Sequence, residues 1–439
     1  MSLKDKLNTA LASREQRLIR RRLPDPTADD HLVDFSTNDY LSLSQSSDLR
    51  KRFLRKLNDS PYVLGSGGSR LLVNGHAHAA LEARLAAFFR APAALLFNSG
   101  FDANVGFFSS VPQPGDVLVY DEHIHASVHD GMRASRVDAR VSFRHNSVDS
   151  LRSSLDQLIA TRPGLQTGEC SAFVAVETLY SMDGTLAPLL QIVEIVESLL
   201  PLGNGYVVVD EAHSTGIYGP QGRGLVAAYG LEDRVFARLH TFGKALAGTG
   251  AVLLITPLVR DYLLNYARSL IYTTSLSYAN IIAADCSFDL LEEREAEKLS
   301  RKLLDLCTYF LATLRREVAV HRISPALLFL PPHLAIPRPE TSSDPSTLPT
   351  PIIPVLTPHP RPLSAHLRVR GLNARPITWP TVPKGADRIR VCLHARNTRE
   401  DVDRLVSGMI EWAESWETAG NSGRSDVGVE RVGVVQAKL

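Results

Sequence analysis

The sequence predicts an α/β fold in which a mostly parallel sheet is covered by helices. Short apolar runs alternate with longer helical patterns between residues 63 and 276. This alternation is typical of parallel strands that are joined by crossover helices. A chain of 439 residues is long enough for roughly two or three domain-sized units. The apolar runs occupy residues 94–97, 117–120, 173–176, 206–209 and 251–255.

Changes of pattern along the chain divide it into four segments. Lys4 to Arg22 form a basic amphipathic pattern, which predicts a helix that stops before Pro24 and Pro26. Residues 279–318 predict one or two long amphipathic helices that lead into a smaller C-terminal α+β domain. The predicted segments are an N-terminal segment at 1–62 that adds a helix and part of the small domain, a large domain at 63–278, the small domain at 279–416 and a tail at 417–439.

Two stretches lack the pattern of a packed element. Proline, serine and threonine dominate residues 331–351, which predicts an extended surface loop. Residues 417–439 are rich in glycine, serine and charged side chains, which predicts a disordered tail. We therefore expect neither stretch to add to a hydrophobic core.

Composition and charge exclude several classes of protein. The formal net charge is +1 with both signs interspersed, whereas a nucleic-acid surface needs a concentrated positive patch. Every apolar run is shorter than the roughly 18 residues that a membrane span requires, so we expect a soluble, intracellular protein without nucleic-acid or membrane partners. The four cysteines are far apart and form no C-x-x-C pair, so neither zinc nor disulfides are predicted.

A lysine stands among small residues in the stretch His240-Thr-Phe-Gly-Lys-Ala-Leu-Ala-Gly-Thr-Gly250. An amine that forms a Schiff base with a flat cofactor needs small neighbours, because the ring must approach the backbone. Gly243, Ala245 and Gly248 leave that space around Lys244. We therefore predict that Lys244 is a reactive amine.

A carboxylate and an imidazole precede this lysine in Asp210-Glu-Ala-His-Ser-Thr-Gly216. The apolar run before Asp210 predicts a parallel strand, and open α/β sheets bind ligands at the carboxyl ends of their strands. A carboxylate there can keep a pyridinium nitrogen protonated, which suits pyridoxal 5'-phosphate (PLP). Asp210 and His213 alone would also fit a metal site or a surface pair. Because no third ligand lies at metal spacing, we predict no metal.

The chain resembles the α-oxoamine synthases, a family of fold-type I PLP enzymes, in segments that follow the family's order. The similarity runs from about residue 34 to residue 405. It implies the PLP-dependent transferase fold of type I, with a large sheet domain and a smaller C-terminal α+β domain. The matching segments are residues 35–44, 65–70, 97–104, 125–127, 181–184, 210–216, 241–244, 261–275, 380–383 and 388–390.

The resemblance assigns catalytic roles to Lys244, His125, Asp210 and His213. It implies that His125 stacks on the face of the PLP ring and that His213 forms a hydrogen bond with the phenolate oxygen. Taken by itself, a histidine that stands near other histidines, as His125 does, is more often a partly exposed loop residue. The residues implied to bind the cofactor are Gly100, Phe101, His125, Ser181, Asp210, His213, Thr241, Lys244, Thr273 and Thr274.

Two groups of residues are implied to hold the phosphate. Ser99, Gly100 and Phe101 form a turn before a predicted helix, and a helix N-terminus favours an anion. Without the resemblance, this composition would indicate only a turn. Thr273 and Thr274 match residues that reach the phosphate from the other subunit, which implies a homodimer with shared active sites.

The resemblance also implies a substrate site. Arg390 matches an arginine that binds the carboxylate of the amino acid, and a guanidinium suits that planar anion. The alternative for Arg390 is an exposed strand arginine. Thr381 and Arg20 match positions that contact the acyl substrate, and Asn38 belongs to the same substrate set. The basic run at Arg20 equally fits a solvated face.

The implied reaction is a decarboxylative condensation of L-alanine with pimeloyl-CoA, or with another pimeloyl thioester, which is a step of biotin synthesis. An acyltransferase of this family that uses another amino acid or another acyl-CoA is the first alternative. A non-catalytic scaffold subunit is the second, although Lys244, Asp210 and His213 are all present. L-alanine and pimeloyl-CoA are the small-molecule partners that the implied reaction requires, and PLP is the expected cofactor.

The final tripeptide Ala437-Lys438-Leu439 resembles a peroxisomal address of the Ser-Lys-Leu type. We therefore expect a peroxisomal protein. The basic N-terminal pattern favours a mitochondrial location instead, but Asp5 and Glu15 are atypical of a transit peptide. The cytoplasm is the other alternative.

Overall fold

The computed structural model describes residues 1–17, 19–23, 27, 29–335 and 348–422. Within these residues the strands are β1 Val33–Asp34, β2 Ala93–Phe97, β3 Val117–Asp121, β4 Ala139–Phe143, β5 Ala172–Glu177, β6 Gly205–Asp210, β7 Ala237–Thr241, β8 Ala251–Ile255, β9 Ile352–Leu356, β10 Leu372–Asn373, β11 Pro376–Ile377 and β12 Arg388–Cys392. The helices of the same residues are α1 Leu3–Gln16, α2 Ser47–Asp59, α3 His76–Phe88, α4 Gly100–Ser110, α5 Ala126–Ala134, α6 Val148–Thr161, α7 Pro163–Thr167, α8 Leu189–Leu199, α9 Leu225–Ala228, α10 Pro257–Tyr266, α11 Arg268–Ile271, α12 Tyr278–Glu292, α13 Glu295–Val320, α14 Pro332–Ala335, α15 Pro360–Val369 and α16 Arg399–Ser422.

The central sheet has seven strands in the part of the chain that the structure describes, in the order β2-β8-β7-β6-β5-β3-β4. Neighbouring strands are parallel except around β8, which runs antiparallel to both β2 and β7. All five predicted apolar runs are strands of this sheet. The predicted α/β fold with a mostly parallel sheet is therefore confirmed.

Two strands of this sheet, β4 and β7, were not predicted from the sequence. β4 is an edge strand in which the first four residues alternate between partly buried and exposed positions, and Phe143 at its end is buried. β7 is buried, but it carries Arg238 and His240. Neither strand shows the continuous apolar run that marks a fully buried parallel strand, because one faces water and the other buries polar side chains.

Apolar clusters pack on both faces of the sheet. Successive residues of β2 alternate between them, since Leu96 belongs to one cluster and Leu95 to the other. Helices α3 and α8 supply Leu85 and Val193 to the first cluster, and α4 supplies Phe107 to the second. The sheet is thus enclosed between helical layers, and its strand ends are the natural place for a ligand site.

The C-terminal region begins with α12 and α13, which confirm the long helices predicted over residues 279–318. An antiparallel sheet follows in the order β11-β12-β9, with α15 and α16 beside it. β1 pairs in parallel with β10, so residues 33 and 34 of the N-terminal segment join the C-terminal region.

Two predicted boundaries are wrong. α1 ends at Gln16 instead of Arg22, and none of its residues is buried, so no packing extends it. α16 continues to Ser422, so residues 417–422 of the predicted disordered tail are helical; the helix is anchored by a buried apolar face upstream. Residues 423–439, including Ala437-Lys438-Leu439, lie outside the described residues.

The predicted surface loop at 331–351 also differs at both of its ends. Pro332–Ala335 form α14, and Thr350 is buried. The hydroxyl of Thr350 donates a hydrogen bond to the carbonyl oxygen of Gly184 at 3.1 Å, which holds this end against the large domain. Residues 336–347 lie outside the described residues. No helix among the described residues combines the length and apolar character needed to cross a membrane.

Candidate active site

Polar residues end three neighbouring parallel strands at one edge of the central sheet. Glu177 ends β5, Asp210 ends β6 and Thr241 ends β7. Glu177 and Asp210 are paired in register across the two strands. The loop after β7 carries Lys244 to the same edge, because parallel strands bring their carboxyl ends together.

The Asp210 carboxylate is buried and held at both oxygens. Asn104 of α4 donates from Nδ2 to Oδ2 at 2.9 Å, and the backbone N–H of Ala212 donates to Oδ1 at 2.9 Å. Asp210 keeps only 8% of its surface exposed. Hydrogen bonds to a carboxylate fix its direction and stabilise its charged form.

His125 is joined to Asp210 through a short chain of hydrogen bonds. Its Nδ1 lies 2.8 Å from the hydroxyl oxygen of Ser127, and the amide of Asn104 donates to the same oxygen at 3.0 Å. His125 is also the N-terminal cap of α5, which limits its movement. The residue as a whole is exposed, although the surrounding protein partly buries its ring. This burial, with the charge of Lys244, lowers the pKa of His125 against the opposing effect of Asp210.

Lys244 lies on a tight turn, and its side-chain amine forms no hydrogen bond or ion pair with any described residue. The turn is closed by the N–H of Gly248, which donates to the carbonyl oxygen of Phe242 at 2.6 Å. Burial lowers the pKa of the Lys244 amine, whereas the negative charges of Asp210 and Glu177 act to raise it. The net direction is downward, so the amine loses its proton more readily than a free lysine.

Glu177 is a buried carboxyl group that the sequence prediction missed. It is 4% exposed and lies beside Asp210. Burial and the neighbouring charge of Asp210 raise its pKa well above the ordinary value, and the backbone N–H of His125 opposes that shift. Two carboxyl groups at one strand edge do not both ionise easily. We assign the neutral form to Glu177, which is the group with the raised pKa.

His213 contacts a tyrosine from the N-terminal segment. Its Nδ1 lies 2.8 Å from the hydroxyl oxygen of Tyr40, and both residues are buried. Burial, together with the positive charges of Lys244 and Arg390, holds the pKa of His213 well below its usual value. The imidazole is therefore neutral. When the Tyr40 hydroxyl donates to Nδ1, the hydrogen resides on Nε2, which can then donate to a ligand oxygen.

Arg390 of β12 reaches the same region from the C-terminal sheet. Its Nη2 donates to Oδ1 of Asn38 at 3.0 Å and to the Tyr40 hydroxyl at 3.5 Å. Its Nε donates to the carbonyl oxygen of Ser181. Arg390 is 7% exposed, so the alternative of an exposed strand arginine is wrong. The structure brings together Arg390, Asn38 and Ser181 of the predicted set, with Ser181 contributing its backbone.

The turn predicted to hold a phosphate begins α4. Ser99 is the N-terminal cap and accepts a hydrogen bond from the N–H of Asp102 at 3.0 Å. The N–H groups of Gly100 and Phe101 find no acceptor within the described residues. Thr241 lies close by, since a Cβ built on Gly100 would be 3.6 Å from its hydroxyl oxygen. Such free amides at a helix start suit an anion.

Thr273 and Thr274 lie beside this turn in the same chain. The side-chain amide of Asn98 donates to the hydroxyl oxygen of Thr273 at 3.2 Å and to the carbonyl oxygen of Thr274 at 2.7 Å. Thr274 is exposed and Thr273 is half-buried. Their contribution to the site of a second subunit stays a prediction.

Two predicted substrate residues lie outside this cluster of contacts. Arg20 is exposed, and its Nη1 forms an ion pair with Oε2 of Glu15 at 3.3 Å. Thr381 is exposed in a turn in which its N–H donates to the carbonyl oxygen of Thr378 at 3.0 Å. The structure does not join either residue to Arg390 by a contact, and their role toward the acyl substrate stays a prediction.

Sequence reasoning missed four residues of the site: Tyr40, Asn104, Ser127 and Glu177. Three of them, Tyr40, Asn104 and Ser127, lie in segments that match the family, but the match assigned no function to these residues. Glu177 could have been found from position alone, because it follows the apolar run of β5 as Asp210 follows that of β6. No group of three or more potential metal ligands is placed to hold an ion in the described ranges.

Comparison with known proteins places this site in a family. A family model described as aminotransferase class I and II matches residues 30–409. The chain belongs to this family. Over 418 residues it is 48% identical to an 8-amino-7-oxononanoate synthase from Emericella nidulans, a match that covers 94% of the chain and 97% of the relative. It is 38% identical over 399 residues to the aminoacyl transferase sphA of Aspergillus fumigatus, with 89% and 84% covered.

Solved structures of family relatives share the fold. A serine palmitoyltransferase from S. paucimobilis with a bound PLP–myriocin aldimine matches with a TM-score of 0.78 at 22% identity, covering 95% of this chain and 100% of that one. An 8-amino-7-oxononanoate synthase from Francisella tularensis matches with a TM-score of 0.65 at 24% identity, covering 89% and 100%. The chain has the PLP-dependent transferase fold and is a PLP-dependent C-acyltransferase of the α-oxoamine synthase type.

The residues present fit PLP at three points. Lys244 offers an amine without a partner among the described residues, which leaves it free for a covalent link. The N–H groups of Gly100 and Phe101 are open to a phosphate. Asp210 is fixed with its charge at the end of β6, where it can face a pyridine nitrogen. These residues would hold the cofactor, with His125 and His213 beside it.

Proposed function

We propose that this enzyme condenses L-alanine with pimeloyl-CoA, and releases CoA and CO2, to form 8-amino-7-oxononanoate for biotin synthesis. The observation that carries this choice of substrates is the 48% identity to a relative of that name along almost the whole of both chains. The site chemistry agrees with it, because a buried arginine for a carboxylate stands beside the candidate cofactor site. PLP would be the cofactor.

Arg390 supports the amino-acid half of the proposal. Its guanidinium is fixed at two nitrogens. Nη2 donates to the side-chain oxygen of Asn38, and Nε donates to the carbonyl oxygen of Ser181. A guanidinium that remains charged at every accessible pH suits the carboxylate of a small amino acid. Ordering by Asn38 and Tyr40 reduces the freedom that Arg390 would lose on binding.

When bound, PLP would supply an electron-accepting ring for the electron pair released at the substrate α-carbon. Lys244 Nζ can take up the α-proton, because burial lowers its pKa and leaves more of the amine unprotonated near neutral pH. Asp210 would provide the negative charge that stabilises a protonated pyridine nitrogen. His213, neutral and anchored by Tyr40, can donate from Nε2 to an oxygen.

The homodimer is part of the proposal. Apolar side chains are exposed near the turn at residues 99–101 and near the glycine-rich residues 65–70, and they include Tyr62, Leu64, Leu72, Phe101 and Tyr272. Exposed apolar groups concentrated in one region favour contact with another protein surface. Sedimentation of the purified holoenzyme should give about twice the 48.2 kDa mass of the chain. A monomer at assay concentration would contradict this part.

A substrate panel tests the reaction. Holoenzyme is incubated with L-alanine, glycine or L-serine, each combined with pimeloyl-CoA, acetyl-CoA or palmitoyl-CoA, and free thiol and product mass are measured. We expect the L-alanine and pimeloyl-CoA pair to give the highest kcat/KM. Lys298→Ala, which alters an exposed lysine paired with Glu295, serves as the control for Lys244→Ala. Higher turnover of another pair would overturn the proposed substrates.

The similarity to sphA supports a second candidate. A relative described as an aminoacyl transferase is 38% identical over 89% of the chain. An α-oxoamine synthase that acts on another amino acid or another acyl-CoA would share every site residue described above. The glycine, serine, acetyl and palmitoyl arms of the panel detect it directly. The scaffold alternative is set aside, because the chain is a C-acyltransferase.

A peroxisomal location is a further proposal. It is supported by Ala437-Lys438-Leu439, which lie outside the described residues. Imaging of a fluorescent fusion at the N-terminus, with and without Leu439, tests it. We expect punctate peroxisomal signal that becomes diffuse when Leu439 is deleted. A diffuse or mitochondrial signal in both forms would contradict it.

A further inference from the structure

Two basic side chains from different parts of the fold converge on one carboxylate. Arg388 of β12 donates from Nη1 to Oδ1 of Asp183 at 2.6 Å and to the carbonyl oxygen of Met182 at 2.9 Å. His123, in the loop between β3 and α5, places Nδ1 3.2 Å from Oδ2 of Asp183. The Arg388 side chain is only 5% exposed, so this ion pair is shielded from water.

Each partner stands two residues from a residue of the active site. His123 precedes His125, Arg388 precedes Arg390, and the carbonyl that accepts from Arg390 belongs to Ser181, two residues before Asp183. Residues i and i+2 of a strand point to the same face. Both arginines of β12 therefore reach the turn that Ser181 and Asp183 share.

A second set of contacts holds the turn of residues 181–185 through Thr185. The His123 ring stacks on the ring of His145, with centroids 4.2 Å apart and an angle of 18° between the planes. His145 places Nε2 2.7 Å from the hydroxyl oxygen of Thr185 and Nδ1 2.9 Å from Oδ1 of Asp121. These contacts run from Asp183 through His123 and His145 to Thr185, so they begin and end on the same turn.

We propose that Asp183 is a positioning residue, which holds the strand of the carboxylate-binding Arg390 in register with the loop of the cofactor-facing His125. His123 and Arg388 are the two arms of this bridge. The inference rests on the proposed function in so far as Arg390 binds the amino acid's carboxylate. Misplacement of such a group by about 1 Å can cost on the order of a hundredfold in rate, so a small shift of β12 is enough to matter.

The charges at the bridge agree with this role. Burial acts to raise the pKa of Asp183, but His123 and Arg388 reverse that effect and hold it well below the ordinary value. The carboxylate therefore stays charged through the neutral range. A neutral amide at this position would keep its shape and lose most of the attraction to both arms.

Amino-acid binding to the holoenzyme tests the proposal without turnover. The PLP absorption spectrum is titrated with L-alanine in the wild type, Asp183→Asn, His123→Ala and His123→Asn. We expect Asp183→Asn and His123→Ala to weaken binding by roughly tenfold or more, with PLP retained. His123→Asn keeps a donor at the position of Nδ1, so its affinity is expected to stay within about twofold of the wild type.

Steady-state kinetics separate positioning from a loss of folding. We expect the KM for the amino acid to rise in Asp183→Asn, while the KM for the acyl-CoA and the midpoint of thermal unfolding change little. Glu197→Gln, which removes a surface ion pair with Arg234, is the control and is expected to match the wild type. His123→Ala leaves the buried Arg388 pair in place, so it tests the bridge even if Asp183→Asn folds poorly.

The outcomes distinguish this inference from the proposed function. If the wild-type spectrum responds to glycine or L-serine and not to L-alanine, the proposed substrate is wrong, and the same titration is run with the responding amino acid. If Asp183→Asn and His123→Ala bind that amino acid as tightly as the wild type, the positioning role is overturned. Equal loss of affinity for the amino acid and the acyl-CoA would overturn it too.

Discussion

The side-chain amide of Asn104 donates a hydrogen bond to Oδ2 of Asp210 at 2.9 Å, and also to the hydroxyl oxygen of Ser127 at 3.0 Å. One amide thus fixes the carboxylate at the end of β6 and, through Ser127, the ring of His125. Asp210 is expected to face the pyridine nitrogen, and His125 is expected to cover the ring. Both residues therefore belong to one hydrogen-bond network.

Replacing Asn104 by alanine is therefore expected to weaken PLP binding. A hydrogen bond to a charged group contributes about 1.5–3 kcal/mol, which corresponds to a rise of roughly tenfold or more in the Kd for PLP. Absorbance titration of the apoenzyme with PLP measures this Kd. Asn265→Ala is the matched control, because Asn265 is exposed on α10 and its side chain forms a hydrogen bond only with the Asp261 carbonyl among the described residues. A Kd within twofold of the wild type in Asn104→Ala would contradict the network.

Gly184 is expected to be intolerant of any side chain. Its φ is +63°, and a Cβ would lie 1.9 Å from the carbonyl oxygen of Ile352. Gly230 has nearly the same φ, +64°, but open space around it, so Gly230→Ala isolates the backbone strain of about 1–2 kcal/mol. We expect Gly184→Ala to lose at least about 2 kcal/mol more in denaturant unfolding. Equal losses in the two variants would show that the contact with Ile352 is unimportant.

The cysteines are expected to differ in reactivity. Burial raises the pKa of Cys286 to about 11, and Cys307 and Cys392 are also fully buried with pKa values raised by burial. Cys170 is half-buried. Since the thiolate is the reactive form, iodoacetamide at pH 8 should modify Cys170 first in the native protein. Mass spectrometry of peptides over time checks this, and modification of the other three at the same rate would contradict it.

The contribution of His123 to stability is expected to fall as pH rises. The hydrogen bond to Asp183 raises the pKa of His123 above its ordinary value against the effect of burial, and the charges of Asp183, Asp121 and Glu122 add to the rise. Arg388, on the far side of Asp183, and the stacked His145 are the other titratable neighbours. A raised folded-state pKa gives stability that is complete below the unfolded value and is lost as pH climbs through the folded one.

Urea unfolding of the wild type and His123→Asn at pH 6, 7.5 and 9 measures that contribution. The difference between their free energies of unfolding is expected to be largest at pH 6 and to shrink by pH 9. The same comparison in the Asp183→Asn background should be nearly independent of pH, because the partner charge is gone. A difference that stays constant from pH 6 to 9 in the wild-type background would show that the pair does not titrate in this range.

The main lines of the fold and the anchors of the site could be predicted from local patterns. Asp210 was placed because an apolar run ends at it, and Lys244 because small residues surround it. Tyr40 and Asn104 could not be placed in that way, because their partners lie 173 and 106 residues away in the chain. Only the folded arrangement of β6, α4 and the N-terminal segment brings those groups together.

Boundaries failed where tertiary packing overrode composition. Residues after Trp416 look unsuited to structure, yet α16 continues because its upstream turns are anchored by buried Val402 and Met409. Thr350 stands in a proline-rich stretch but is buried, since its hydroxyl bonds the carbonyl of Gly184. β7 was missed because buried polar side chains hid its strand pattern, although Arg238 donates to the carbonyl of Phe89 within the core.

The central claim is that Lys244 binds PLP covalently. The visible absorption spectrum of the PLP-treated protein tests this claim most directly. Purified wild type, Lys244→Ala and Lys298→Ala are each incubated with PLP, dialysed and scanned in the visible range. We predict that the wild type and Lys298→Ala keep the band of a lysine-bound PLP, and that Lys244→Ala loses both that band and all release of CoA thiol. A Lys244→Ala protein that retains the band and turns over substrate would contradict the assignment.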